Sequence, residues 1–184
     1  LPTDHGEGRE PLMDRLIDLA ENRWVRLFLV SLIVLALQTT IFNDMRPFGV
    51  CLQVMLLVAA SSGLARGREV GAIAGFIVGL MYDMVLTTPL GVGAAVFAGV
   101  GFLAGYAHSF VHEANWWSRM LLSAGASAAG MILMPFALAM VGMDGVLTFK
   151  VLGITIVVAV FNGLFSWPVE RVCRWALTEP KAVR

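Results

Sequence analysis

Along this chain apolar positions gather in long runs, each closed by a short charged break. Such runs predict membrane-spanning helices, because a span takes roughly 20 apolar residues at about 1.5 Å of rise each. Six spans are expected, over residues 24–42, 49–64, 70–86, 90–111, 117–142 and 149–167. Ahead of them, Leu12, Met13, Leu16, Ile17 and Ala20 recur at helical spacing behind Pro11. That segment is either a short amphipathic helix on the membrane or a polar lead-in to the first span. A charged amphipathic stretch with Glu170, Arg171 and Arg174 follows the last span. The expected organisation is a cytoplasmic tail at 1–22, one membrane domain at 23–177 and a second tail at 178–184.

The second and third spans are short. A helix of about 16 residues covers about 24 Å, less than a hydrocarbon core of roughly 30 Å. A re-entrant hairpin is the alternative. It would leave Arg66, Arg68 and Glu69 deep in the membrane, at about 2.5–3.5 kcal/mol for each arginine. Two short crossings joined by a cytoplasmic turn avoid that penalty, so the expectation stays at six.

Composition agrees with the pattern. Of 184 residues, 58% are hydrophobic and 14% charged, against about 25% charged in soluble domains. A water-soluble globule is not expected. The formal net charge is zero and no basic block is present, so nucleic acid is not an expected partner. With the N-terminus inside, 11 lysines and arginines fall in cytoplasmic segments and only Arg46 and Lys150 outside, a strong positive-inside bias. Trp24, Trp116, Trp117, Trp167 and Trp175 fall at the same inner interface. Residues 1–22 are mostly polar, so no cleavable signal peptide is expected. Cys51 and Cys173 lie near opposite faces in this topology, which makes an intramolecular disulfide implausible.

Candidate chemistry concentrates in residues 71–94. Gly71, Gly75 and Gly79 recur every fourth position and lead to Asp83, then to Pro89-Leu90-Gly91. Glycine at that spacing clears one helix face for close approach by another backbone. The face serves either packing within the chain or a second transmembrane helix. Gly91-x3-Ala95-x3-Gly99 and Gly101-x3-Gly105 extend the same theme. Asp83 shares the glycine face. It either binds a partner or ligand, or accepts hydrogen bonds from the backbone of Thr87 and Thr88 or from the next helix's N-terminus. Pro89 would suit the first turn of that helix, with Thr88 as its cap.

A polar cluster of Gln38, Thr39 and Thr40 ends the first span, and Asn162 lies inside the sixth. Gln38, Asp83 and Asn162 together could build a pocket, or each could bond across helices. Pro135 is expected to kink the fifth span. His108 and His112 are four apart beside Glu113, but no other cluster supplies further ligands, so no metal is expected. No phosphate loop, nucleophile motif or paired carboxylate is present. Neither catalysis nor a cofactor is expected.

Gly75-Phe76-x-x-Gly79-Leu80-x-x-Asp83, Pro89-Leu90-Gly91 and Gly101-Phe102-x-x-Gly105 resemble the rod shape-determining MreD family. Leu37-Gln38-Thr39-Thr40, the Arg46-Pro47 loop and the six-span layout fit as well, and the resemblance covers about residues 24–175. Phe48-Gly49 departs from the pattern, where Asp or Asn and Leu would be expected. The resemblance implies a non-enzymatic component of the elongation machinery in the bacterial inner membrane. It would bind MreC and, directly or indirectly, MreB, RodA and a class B penicillin-binding transpeptidase, with membrane lipid around it. The implied fold is an all-α polytopic bundle with both termini cytoplasmic, similar to the S-components of energy-coupling-factor transporters. That likeness also supplies an alternative, a vitamin-like small-molecule binding subunit.

Overall fold

The computed structural model describes residues 22–44, 52–86, 89–111, 115–143 and 150–179. Among these residues there are six helices, α1 (Arg23–Asp44), α2 (Val54–Arg66), α3 (Arg68–Val85), α4 (Val92–Ser109), α5 (Trp116–Met140) and α6 (Lys150–Ala176), and no strand. Four of them are long and apolar enough to cross a membrane, over Arg23–Ile41, Val92–Ser109, Trp116–Met140 and Val151–Ala176. The 18 residues of α3 carry Arg68, Glu69 and Asp83, and α2 has only 13 residues. The expected amphipathic segment before α1, the Arg46-Pro47 loop and Cys51 lie outside the described residues.

The short helix is the centre of the bundle. Every residue from Met55 to Leu64 is buried, and α2 touches all five other helices. A helix apolar on every side belongs inside protein, not at its edge. Its length of about 20 Å is tolerated because its ends meet protein groups, which satisfy backbone that lipid could not. Its Met55, Leu56 and Val58 share the core with Phe97 and Val100 of α4. The apolar flank of α1 (Leu29, Leu32, Ile33, Leu37) is exposed.

Successive helices alternate in direction. Arg23 at the start of α1 meets Glu179 beyond the end of α6, while Gln38 near its far end meets Met55 at the start of α2. Between α2 and α3 there is one residue, Gly67, with φ 87°. Its N–H donates to the Gly63 carbonyl at 2.8 Å. Reversing the chain in one residue uses this positive-φ conformation, with ψ 177°, a region that side chains with a Cβ resist.

The last helix corrects the expected end of the sixth span at Trp167. It continues through Pro168 to Ala176. Proline inside a helix removes a backbone bond and costs about 3 kcal/mol. Here Ser166, Glu170, Cys173 and Leu177 are all buried along one side, and that packing keeps the segment helical.

Candidate functional site

The glycine series and Asp83 meet along one seam. In α3, a Cβ on Gly75 would strike the Phe97 carbonyl, one on Gly79 would lie 2.6 Å from Ala94 Cα, and one on Gly71 would lie 2.5 Å from Gly63 Cα and the Gly101 carbonyl. Gly105 faces Arg68 just as closely, since a Cβ there would lie 2.5 Å from the Arg68 backbone nitrogen. The seam therefore joins α3 to α4 and α2, within this chain. In α4 it is lined by Gly93, Phe97, Gly101 and Gly105, positions four apart. The expected Gly91-x3-Ala95-x3-Gly99 series is not on it: Ala95 is exposed and a Cβ at Gly99 would meet open space. Those residues sit about half a turn from the true register, which the sequence offered equally.

Asp83 closes the seam at its far end. The residue is 2% exposed. Its Oδ2 accepts from Gly91 N–H at 2.8 Å and Ala94 N–H at 3.1 Å, and its Oδ1 accepts from Gly93 N–H at 3.1 Å. A helix N-terminus carries unpaired donors and partial positive charge, so one carboxylate from α3 satisfies the first turn of α4. Gly93 is required because a Cβ there would collide with Asp83 Oδ1. Gly91, with φ 100°, is the residue that caps α4. Pro89 therefore precedes the helix instead of entering its first turn, and its carbonyl accepts from Val92 N–H. Thr87 and Thr88 lie outside the described residues.

The polar residues of α1 and α6 converge on the start of α2 instead of on Asp83. Gln38 Oε1 accepts from Met55 N–H at 2.8 Å. Asn162 Nδ2 donates to the Gln53 carbonyl at 3.3 Å and to Ser127 Oγ at 3.0 Å. Gln53 Nε2 donates to Tyr82 Oη at 3.1 Å. Thr39 takes no part, since it is exposed and its hydroxyl bonds back to Leu35 and Ala36 carbonyls. Gln38, Asp83 and Asn162 are thus each occupied in bonds between helices, Gln38 and Asn162 at the start of α2 and Asp83 at the start of α4. A cavity of about 150 Å³ does open beside Gln53, against Met131, Met134 and the buried Pro135. Drug-sized ligands occupy roughly 300–1,000 Å³.

At the opposite end the arginines gather. Arg26 donates to the Thr178 carbonyl at 2.5 Å and lies over the Trp175 ring. Arg66 donates to the Arg174 carbonyl at 3.2 Å and to Thr178 Oγ1 at 2.7 Å. These cations meet the carbonyl end of α6, where the helix dipole favours them. Glu170 accepts from both Arg119 and Arg174. Sequence reasoning missed Gln53, Tyr82, Ser127 and Glu170 as partners, because nothing in local spacing marks a contact between distant helices. His112 and Glu113 lie outside the described residues, and no group of three metal-ligating side chains occurs among the described ones.

The family model for rod shape-determining protein MreD matches residues 20–175 of the chain. No curated protein and no solved structure matches it.

Proposed function

The chain belongs to the rod shape-determining protein MreD family, and from that premise we propose that this multi-pass membrane protein is a non-enzymatic scaffold of the cell-elongation machinery. It binds MreC in the bacterial inner membrane and helps position peptidoglycan synthesis, with MreB, RodA and a class B penicillin-binding transpeptidase as direct or indirect partners. All six helices cross the membrane, and both termini are cytoplasmic. Alternating helix direction supports the count, and the clustering of Arg23, Arg66, Arg119 and Arg174 at one end supports the orientation.

The observation that carries the scaffold reading is where the packing groups are used. The glycine seam, Asp83, Gln38 and Asn162 are consumed in building the bundle, so the surface left for a partner is the outward one. Among the four membrane-length helices α1 is the least buried. It offers Leu29, Ile33 and Leu37 to a partner's single span. The vitamin-like alternative draws little support from the cavity beside Gln53, which at about 150 Å³ is smaller than the roughly 300–1,000 Å³ that drug-sized ligands occupy.

Photo-crosslinking in living cells tests this. A probe at Ile33 should capture MreC, whereas one at Leu133 on α5 should not. Full-length protein that purifies without MreC, and shows no crosslink from α1, would refute the reading. An alkaline phosphatase fusion at Arg68 tests the topology separately, and activity there would break the six-span count.

A further inference from the structure

Between the start of α5 and the last turns of α6 lies a groove of about 660 Å³, lined by Trp116, Trp167 and Trp175 and by Arg119, Arg171, Arg174 and Glu170. The lining holds three guanidiniums and one carboxylate, a net charge of two positive, and two of the three, Arg119 and Arg174, meet Glu170. Glu170 has a side chain only 6% exposed and draws Arg119 and Arg174 onto the same oxygen, Oε1. Holding two like charges together around one buried anion is a preorganised arrangement. Each guanidinium carries five N–H donors, and Glu170 takes one from Arg119 and one from Arg174. Arg171 has no partner among the described residues and is exposed. The groove therefore has cationic donors in excess of its own acceptors.

Its surroundings select the kind of anion. The groove sits at the end of two helices long and apolar enough to cross a membrane, the level at which tryptophans border headgroups. Trp116, Trp167 and Trp175 are 57%, 67% and 60% exposed. Directly along the same helices the apolar Leu121, Leu164 and Phe165 are exposed as well. A cationic niche continuous with an apolar flank matches a molecule with a phosphate head and acyl tails. Basic pockets between transmembrane helices bind such headgroups.

We propose that this groove is a binding site for one anionic phospholipid, its phosphodiester held by Arg119, Arg171 and Arg174 and its chains lying along Leu121 and Leu164. Glu170 is a positioning residue, acting through the two arginines. The site rests on the membrane placement of α5 and α6 and is independent of MreC binding.

Native mass spectrometry of the full-length protein in mild detergent tests it, with dioleoyl phosphatidylglycerol titrated against dioleoyl phosphatidylcholine. Phosphatidylglycerol should be retained at least about tenfold better. Arg171→Gln should lower that preference about fivefold, the effect of one basic residue at a membrane surface. Arg171→Gln with Arg174→Gln should abolish it. Arg68→Gln, exposed at the same end but outside the groove, should leave it unchanged. If Arg174→Gln fails to fold, Arg171→Gln decides alone. Equal retention of the two lipids would overturn the proposal, as would an equal loss from Arg68→Gln, which would mean diffuse charge. Displacement of phosphatidylglycerol by inorganic phosphate would also overturn it, since the site would then take a free anion.

Discussion

Replacing Asp83 by alanine removes the acceptor for three backbone donors at once. Gly93 and Ala94 are buried and Gly91 is half-buried. A buried donor left without a partner costs about 1–3 kcal/mol. Counting the two buried donors alone, Asp83→Ala should destabilise the bundle by roughly 2–6 kcal/mol. Asp83→Asn is the sharper probe. Its one carbonyl oxygen can keep Gly91 and Ala94, but its NH₂ would then face the Gly93 N–H, donor against donor. A loss of roughly 1–3 kcal/mol follows, smaller than for alanine but not zero. Equilibrium unfolding in mixed micelles, followed by tryptophan fluorescence, measures both. Wild-type stability in Asp83→Ala, with cell-shape complementation lost, would refute the clasp and make Asp83 a partner- or ligand-binding group.

Gly75→Ala should destabilise by about 1–3 kcal/mol through overpacking against Phe97, while Gly99→Ala, facing open space, should be neutral or slightly stabilising in the same unfolding assay. Gly67→Ala puts a Cβ on a residue at φ 87° and ψ 177° and should cost about 1–3 kcal/mol without disturbing any packing contact, which limited proteolysis at the α2–α3 turn would register. Asn162→Ala severs two interhelical bonds. At about 0.6 kcal/mol each in membrane proteins, it should lower stability by roughly 1 kcal/mol, and a double-mutant cycle with Ser127→Ala should show coupling.

Much of this molecule is legible without its structure. Helical spans follow from hydropathy along the chain, because a bilayer imposes one length and one polarity on anything that crosses it. The clustering of arginines and tryptophans follows from the same constraint. Gly71, Gly75, Gly79 and Asp83 stand out because period-four spacing is a local property of a helix. Asp83 lies one connection away from the donors it satisfies, so the acceptor role was among the readings open to the sequence.

Other features depended on which helix lies beside which. That α2 is the central helix could not be read from its 13 mostly apolar residues, since a short helix surrounded by protein and a short span look alike in one dimension. In α4, Gly91-x3-Ala95-x3-Gly99 and Gly93-x3-Phe97-x3-Gly101 are two registers of one helix, and only contact with α3 selects the second. Gln38 and Asn162 were visible as polar residues in apolar surroundings, but their meeting at Gln53–Met55 joins segments more than 100 residues apart. Hydropathy and spacing are properties of a single helix. Register, burial and the choice of hydrogen-bond partner belong to pairs of helices, and only the packed bundle decides those.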